Sequence, residues 1–173
     1  MKYNKIVFEG PNNVGKSTLI KKLKRIQSDL NLVEVEHVTE VCPNDYVFYE
    51  DLLSSYEPMI FDRLHLGEMI YSNVFGRECK LSPDEFDRLL TTHKDHTLIV
   101  IVDADYDFII RATQAKQEFF DYNISKKERK EYYDMWQYLH SLESIGIKVI
   151  RIKNHWDEET TSELLGRLIE ALA

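Results

Sequence analysis

The sequence has little cysteine and lacks any long apolar run. Its two cysteines, Cys42 and Cys79, show no CxxC spacing and no nearby histidine cluster, so they indicate neither a disulfide framework nor a zinc site. We expect two free thiols. No apolar run approaches the roughly 18 residues that a membrane span needs. The first residues lead directly into strand-like sequence and leave no room for a signal peptide. These absences predict a cytoplasmic protein that does not enter a membrane.

Positive charge is scarce as well. The chain has 22 lysines and arginines against 30 aspartates and glutamates, a formal net charge of −8 at pH 7. Nucleic acids and anionic membranes attract a surplus of Lys and Arg, so broad binding to either is not expected. A small polyanionic ligand is compatible with this charge if basic residues gather locally. The length of 173 residues predicts a single domain over residues 1–173. The oligomeric state stays open, and a homodimer is compatible with the sequence.

Short apolar segments alternate with segments of helical spacing. In the longest helical segment, apolar residues recur at intervals of three and four between Tyr132 and Leu142, and Ser82, Pro83 and Glu85 form the pattern of a capped helix start. Such alternation predicts an α/β fold in which helices cover both faces of a mostly parallel sheet. Ligands of such sheets bind beyond the carboxyl ends of the strands. The five predicted strands are Lys5–Glu9, Leu32–Val38, Met59–Asp62, Leu98–Asp103 and Val149–Lys153.

A GxxxxGK[ST] motif lies between the first strand and the first helix. Its glycines let backbone N–H groups point at phosphate oxygens, and the following helix presents its positive dipole end to them. Lys16 is expected to reach the β- and γ-phosphates of a nucleotide, and the Ser17 hydroxyl is expected to ligate Mg²⁺. The alternative is a chance glycine-rich turn. The predicted nucleotide-binding residues are Gly10, Asn12, Asn13, Val14, Gly15, Lys16, Ser17 and Thr18.

A second polar pair, Asp62 and Arg63, follows the third strand directly. The carboxyl ends of parallel strands meet at one sheet edge, so this pair and the glycine-rich loop are expected to face the same crevice. Asp62 is a candidate for the Mg²⁺ shell or for accepting a proton. Arg63 is a candidate for binding an acceptor phosphate in a bidentate manner. A simple salt bridge at the strand end is the alternative.

With these two motifs the sequence resembles the thymidylate kinase-like branch of P-loop nucleoside monophosphate kinases. The segment from Asp62 to Tyr71 looks most like the phage-type deoxynucleoside monophosphate kinases. The resemblance implies a three-layer α/β/α P-loop kinase fold with sheet order 2-3-1-4-5. It also implies ATP and Mg²⁺ as cosubstrates and a deoxynucleoside 5′-monophosphate as acceptor. The implied partners, ATP and the monophosphate, are thus small nucleotides.

The resemblance further implies a mobile helical lid at roughly residues 111–126. Arg111 matches the first lid arginine of the family by its place, and Lys116 is a further candidate for covering the phosphates. A second lid arginine is not evident. The basic residues between Lys126 and Lys130 are expected to form a solvated helix face. Catalysis is therefore assigned to Lys16, Asp62, Arg63 and Arg111.

Two acidic residues, Asp62 and Asp103, are candidates for the Mg²⁺ site. Asp103 ends the fourth strand and has the place of an ATPase acid, whereas Asp62 is followed by an arginine. The kinase interpretation assigns Mg²⁺ to Ser17 and Asp62, although Mg²⁺ usually keeps several waters and can do without a direct carboxylate.

An acceptor base needs an aromatic or polar surface. Phe48, Tyr49 and Tyr71 are candidates for stacking on the base, and Glu68 is a candidate for bonding a base edge or a sugar hydroxyl. Core packing of the rings and an exposed helix carboxylate are the alternatives. His65 is expected to be a helix-start or packing residue.

Three other functions stay open at this point. A deoxynucleoside kinase would need a carboxylate near the end of the second strand, where Glu34, Glu36 and Glu40 are available. A GTP-hydrolysing switch would ordinarily carry an Asn-Lys-x-Asp motif, which residues 151–157 do not match. A pure nucleotide-binding module is the last alternative, and measured turnover would separate it from an enzyme.

Overall fold

Five parallel strands form one sheet in the computed structural model, which describes residues 3–28, 31–35, 45–154, 162 and 165–170. The strand order is β2-β3-β1-β4-β5, as the resemblance implied. Neighbouring strands pair in parallel throughout. The strands are β1 (Lys5–Glu9), β2 (Asn31–Glu34), β3 (Met59–Asp62), β4 (Thr97–Ala104) and β5 (Lys148–Asn154).

The predicted strand positions are confirmed, with differences in the extent of β2, β4 and β5. β1 and β3 have the predicted bounds, and β4 and β5 are each longer by one residue at both ends. β2 ends at Glu34 instead of Val38, and residues 36–44 lie outside the described part of the chain. Glu36, Glu40 and Cys42 fall in that range, whereas Cys79 is a free thiol as expected.

Helices connect the strands and cover both faces of the sheet. Residues 165–170 are also helical, and a short 3₁₀ turn, Glu143–Ile145, precedes β5. No helix in the described ranges is long and apolar enough to cross a membrane. The helices are α1 (Lys16–Ile26), α2 (Tyr46–Ser54), α3 (His65–Phe75), α4 (Pro83–Thr92), α5 (Tyr106–Ala115) and α6 (Tyr122–Ser141).

Successive residues of a strand pack alternately in two separate hydrophobic cores. Ile6 of β1 packs in the core that contains Leu19 and Leu23 of α1. Its neighbour Val7 packs in the other core, which contains Ile70 of α3 and Leu139 of α6. Successive side chains of a strand point to opposite faces, so an apolar run such as β1 can be buried on both sides. This three-layer arrangement places the polar loops at the carboxyl edge of the sheet.

Local side-chain capping fixes the starts of α4 and α6. Ser82 and Glu85 form the predicted capping box of α4, with Pro83 at its first position. Asp121 caps α6 by accepting hydrogen bonds from the backbone N–H groups of Asn123 and Ile124. Capping of this kind stabilises a helix by about 1 kcal/mol. It fixes where α6 begins after the segment 116–121 that connects it to α5.

Candidate functional site

The loop between β1 and α1 has the backbone of a phosphate cradle. Gly10 has a φ of 147°, and a Cβ atom added there would lie 2.1 Å from the Val102 carbonyl oxygen, so only glycine fits. Asn13 and Gly15 have left-handed φ angles of 61° and 91°. These turns lead directly into α1, whose first N–H groups have no partner within the helix. The motif therefore occupies the strand-to-helix turn that anion binding requires.

Lys16 is folded into this loop. It is buried, and its Nζ donates to the carbonyl oxygens of Gly10 at 2.9 Å and Pro11 at 2.8 Å. Burial, together with the charge of Arg63, lowers the pKa of Lys16 to about 7, although nearby carboxylates including Asp62 oppose the shift. An anion in the loop would favour the charged ammonium, so ligand binding and protonation of this lysine are coupled.

Ser17 and Asp62 form the candidate metal position. The Ser17 hydroxyl donates to Asp62 Oδ2 at 2.9 Å, while Asp62 Oδ1 is buried and has no hydrogen-bond partner among the described residues. Hydroxyl and carboxylate oxygens are the hard ligands that Mg²⁺ prefers, so the pair fits this ion. In the described residues no group of three or more His, Cys, Asp or Glu is arranged to hold a metal alone. Nucleotide phosphates and water would complete the coordination.

Arg63 is held rigidly at the loop. Its backbone has a left-handed φ of 70°, and its Nη2 donates to Asn12 Oδ1 at 2.8 Å and to the Tyr71 hydroxyl at 2.9 Å. The guanidinium carbon lies 5.1 Å from the centre of the Tyr71 ring. Burial acts to lower the pKa of Arg63, but Tyr132, Tyr71 and Glu9 outweigh it and the pKa is raised. This guanidinium is therefore a fixed and permanently charged group.

A cleft of about 780 Å³ opens between the loop and the predicted lid. One wall carries Lys16, Ser17, Asp62 and Arg63, and the opposite wall carries residues of α5 and the following turn. The basic residues of that opposite wall are Arg111 and Lys116, and Lys21 of α1 also lines the cleft. The structure thus brings the predicted catalytic residues to one space.

The lid segment already touches the glycine-rich loop. Lys116 Nζ donates to Asn13 Oδ1 at 2.6 Å, and Asn13 Nδ2 donates to Glu118 at 3.0 Å and to Thr113 at 3.0 Å. Arg111 is exposed, and its Nε donates only to the Asp107 carbonyl oxygen at 3.2 Å among the described contacts. Arg111 can therefore reorient toward a ligand at little cost.

The basic residues at the start of α6 point elsewhere. Lys127 donates to the carbonyl oxygens at the end of α3, Lys130 pairs with Asp134 one turn on, and Arg129 pairs with Asp103. None of the three lines the cleft. Lys126, Lys127 and Lys130 are exposed, as predicted for a solvated helix face, and they do not contribute to the charge of the cleft.

Asp103 does not have the place of an ATPase acid. Its carboxylate accepts from Arg129 at 3.2 Å and from Arg151 at 3.1 Å, and it does not line the cleft. A carboxylate committed to two guanidinium groups is not free to order a metal. The alternative that assigned Mg²⁺ to Asp103 is therefore not supported.

Glu68 is placed differently from both expectations. It is neither exposed nor at the cleft, because its side chain is fully buried and pairs with Arg77 at 2.6 and 2.8 Å. The Lys80 backbone N–H also donates to it at 3.1 Å. Gly76 ends α3 with a left-handed φ of 66° and turns the chain so that Arg77 folds back onto the helix. Glu68 thus anchors this turn, and its assignment to the acceptor is corrected.

The aromatic candidates for stacking on the base lie in different parts of the structure. Tyr49 is fully buried in the core against Phe48 and His65, so stacking on a base is not available to it. Phe48 is partly buried and packs on the same core. His65 is buried between Tyr49 and Phe86, as expected of a packing histidine. Among these candidates, Tyr71 alone contacts a cleft residue in the described part of the chain.

Two buried carboxylates beside the cleft were not anticipated. Glu9 Oε1 accepts from the backbone N–H groups of Leu64 and Gly67 at 2.8 and 3.1 Å, and its Oε2 accepts from the Tyr132 hydroxyl at 3.0 Å. Glu128 of α6 accepts from Asn12. A charged residue at the end of an otherwise apolar strand was a visible signal for Glu9. For Glu128 the signal was its spacing of four from the buried Tyr132.

Solved structures share this fold. No protein-family model and no curated protein matches the sequence. The YorR protein from Bacillus subtilis, solved with phosphorylated GDP, has a TM-score of 0.73 at 16% identity, covering 97% of this chain and 95% of that chain. Deoxyadenosine kinase from M. mycoides with bound dCTP has a TM-score of 0.63 at 13% identity, with coverages of 96% and 99%. Shikimate kinase from Acinetobacter baumannii with shikimate reaches 0.55 at 14%, with coverages of 98% and 93%. The chain has the P-loop kinase fold.

Proposed function

We propose that this protein transfers the γ-phosphoryl group of ATP·Mg²⁺ to a deoxynucleoside 5′-monophosphate and forms the diphosphate. The observation that carries the proposal is the position of Arg63. Its half-buried guanidinium lies beside Asn12 of the phosphate loop, in the same cleft as Lys16 and the Ser17–Asp62 pair. A donor phosphate and a second, acceptor phosphate can thus be bound next to each other.

The donor half of the site is the loop and the start of α1. Backbone N–H groups of residues 13–18 and the ammonium group of Lys16 hold the phosphates. Ser17 and Asp62 would hold Mg²⁺, which when bound neutralises charge on the β- and γ-phosphates. Arg111 and Lys116 face this half from the lid and can add positive charge as the cleft closes.

The acceptor half is centred on Arg63. A guanidinium presents its N–H donors in a planar fork that matches a phosphate, and here the fork is oriented by Asn12 and Tyr71 before any ligand arrives. A phosphate oxygen of the monophosphate is already an anion and is the nucleophile, so no general base is needed. This agrees with the surroundings of the cleft, where Asp62 accepts from Ser17 and the carboxylates of Glu9 and Glu128, which lie beside the cleft, are bonded to neighbouring donors.

The transfer step itself needs positioning and charge neutralisation. The acceptor oxygen forms a bond to the γ-phosphorus while the bond between that phosphorus and the bridging oxygen breaks, and ADP leaves with the electron pair. Lys16 and Arg63 hold the two reactants from one wall of the cleft. Arg111 and Lys116 screen the transferred group from the other wall.

A deoxynucleoside kinase is the second candidate, and one observation favours it. Glu34 ends β2 in register with Asp62, so an exposed carboxylate lies at the carboxyl edge of the sheet beside the site. Such a carboxylate can deprotonate a sugar 5′-hydroxyl. Glu34 does not line the cleft, however, and a nucleoside offers no phosphate for Arg63 to bind.

A coupled ADP-release assay separates these candidates. ATP·Mg²⁺ is tested against the four deoxynucleoside monophosphates and the four deoxynucleosides, with Lys16→Ala as the inactive control. We expect release that requires one or more monophosphates, and an increase in the monophosphate KM of about tenfold in Arg63→Lys, which keeps the charge but loses the fork. Arg88→Lys, on the outer helix α4, is the matched control. Release with nucleosides alone, or without any acceptor, would contradict the proposal.

A further inference from the structure

Glu128 has no part in the mechanism above, yet it is bonded to the phosphate loop. It lies on α6, is 2% exposed, and is 116 residues from its partner Asn12 in the sequence. Its Oε1 accepts from Asn12 Nδ2 at 2.8 Å, and its Oε2 accepts from the Asn12 backbone N–H at 3.4 Å. A buried carboxylate that bonds the loop twice contributes more than surface packing.

The Asn12 amide has a defined orientation between two charged groups. Arg63 can only donate hydrogen bonds, and an ionised carboxylate can only accept them. The amide oxygen must therefore face Arg63, as observed at 2.8 Å, and the amide nitrogen must face Glu128, as observed at 2.8 Å. Without the carboxylate, the amide can rotate and present its nitrogen to the guanidinium, which would repel it.

Tyr71 of α3 is the second group that holds the Arg63 guanidinium. Its hydroxyl accepts from Arg63 Nη2 at 2.9 Å, and it lies near enough to the Glu128 carboxylate for the two groups to influence each other's pKa. Both groups that hold Nη2 of Arg63 therefore lie beside the same carboxylate. Glu128, Asn12 and Arg63 form a continuous chain of hydrogen bonds, and Tyr71 supports Arg63 at its end.

We propose that Glu128 is a positioning residue of the acceptor site, which orients Asn12 so that it holds, together with Tyr71, the Arg63 guanidinium where an acceptor phosphate binds. This inference rests on the proposed function. Glu128 does not line the cleft and touches no reacting atom, so its effect passes through Arg63. Because its side chain is almost wholly buried, bulk water cannot readily replace the carboxylate when it is removed.

The primary test compares three variants on α6. Glu128→Ala removes both acceptor oxygens, and Glu128→Gln keeps one. Glu131→Ala removes a carboxylate three residues further along, where it forms an exposed hydrogen bond with Asn73. We expect Glu128→Ala to raise the monophosphate KM about tenfold while the ATP KM and kcat change less than about twofold. Glu128→Gln should lie between wild type and Glu128→Ala, and Glu131→Ala should match wild type.

A double-mutant cycle with Arg63→Lys shows whether the effect passes through Arg63. If it does, Glu128→Ala adds less than about twofold to the monophosphate KM of Arg63→Lys, because the positioned group is already lost. Calorimetric binding of the monophosphate gives a readout without turnover, and it uses Glu128→Gln if Glu128→Ala does not fold. Additive effects, or an equal loss of kcat and ATP affinity, would overturn the inference.

The two proposals fail in different ways. A wild-type protein that phosphorylates no monophosphate contradicts the proposed function, whatever the variants do. A wild-type protein that phosphorylates monophosphates, with Glu128→Ala behaving like Glu131→Ala, contradicts only the role of Glu128.

Discussion

The hydroxyl of Ser17, the second residue of α1, donates a hydrogen bond of 2.9 Å to Oδ2 of Asp62, the last residue of β3. The two residues are 45 positions apart in the sequence. They meet because β1 and β3 are neighbours in register, with Phe8 opposite Asp62. The contact joins the two sequence motifs into one site and brings together the two protein oxygens that are proposed to hold Mg²⁺.

Replacing Asp62 should therefore reduce catalysis more than binding. We expect Asp62→Asn to lower kcat by about 10²-fold and to raise the Mg²⁺ concentration needed for half-maximal rate, because an amide is a weaker ligand for a hard cation. Initial rates measured against Mg²⁺ at saturating nucleotide test this. An unchanged Mg²⁺ dependence would remove Asp62 from the metal site.

Asp103→Asn is the matched control, since it changes an acid near the carboxyl end of β4, the strand on the other side of β1. Its carboxylate is committed to Arg129 and Arg151, so the variant should lose thermal stability and keep its Mg²⁺ dependence. The opposite pattern, in which Asp103→Asn alone loses metal-dependent activity, would restore the ATPase assignment of Asp103.

ATP affinity should depend on pH through Lys16. Burial and the charge of Arg63 place the pKa of the free lysine at about 7, and bound phosphates raise it because they favour the ammonium form. Affinity is thus full below pH 7 and falls as pH rises above it, by roughly tenfold per unit until the pKa of the complex is reached. Calorimetric Kd values between pH 6 and 9 test this. In Lys16→Arg the side chain does not titrate, so a decline of equal size there would contradict the assignment.

The lid residues should act on the rate. Arg111→Ala and Lys116→Ala each remove a positive charge from the cleft wall opposite the phosphate loop, so we expect kcat to fall by about 10²-fold with a smaller change in KM. Lys130→Ala, which removes an exposed charge of α6 that pairs with Asp134 and does not line the cleft, should leave both values unchanged. Equal losses in all three variants would indicate a general electrostatic effect and not a lid.

Arg77 should matter for stability and not for the acceptor. Arg77→Met leaves Glu68 fully buried without its ion pair, which we expect to lower the free energy of unfolding by about 3–5 kcal/mol. Urea denaturation measures this loss, and the KM values for both substrates should stay close to wild type. A raised monophosphate KM in a stable Arg77→Met protein would return Glu68 to the acceptor site.

Glu9 should be a second stability determinant. Glu9→Ala leaves two buried backbone N–H groups and the Tyr132 hydroxyl without their acceptor, at an expected cost of about 2–4 kcal/mol. Urea denaturation of Glu9→Ala beside Glu78→Ala, an exposed glutamate with an expected change within about 0.5 kcal/mol, measures the difference. Similar values for the two variants would show that water replaces the carboxylate.

Local spacing was enough to predict the elements and the phosphate loop. β1, β3 and the capped start of α4 depend on residues that are close together in the sequence, so the local residue pattern is enough to predict them. The meeting of Ser17 with Asp62 was also predictable, because parallel strands bring their carboxyl ends to one edge. These predictions concern residues whose surroundings are set by their own strand or helix.

The residues that were misplaced depend on distant partners. The helical position of Glu68 does not tell which group covers it, and the answer comes from a left-handed turn at Gly76 that returns Arg77. Tyr49 packs in the core. The sequence shows only that an aromatic residue is present, and not whether its ring packs in the core or stacks on a nucleotide base. Glu128 and Asn12 are 116 residues apart in the sequence, and only the tertiary fold brings them together. Spacing predicts which face a residue shares but not what packs against it.

The most direct test of the central proposal is the identity of the phosphorylated product. ATP labelled in its γ-phosphate is incubated with Mg²⁺, the protein and the four deoxynucleoside monophosphates, and the products are separated by chromatography beside a Lys16→Ala reaction. We expect the label in one or more deoxynucleoside diphosphates and none in the variant. Label found only in inorganic phosphate, or transferred only when deoxynucleosides replace the monophosphates, would contradict a monophosphate kinase.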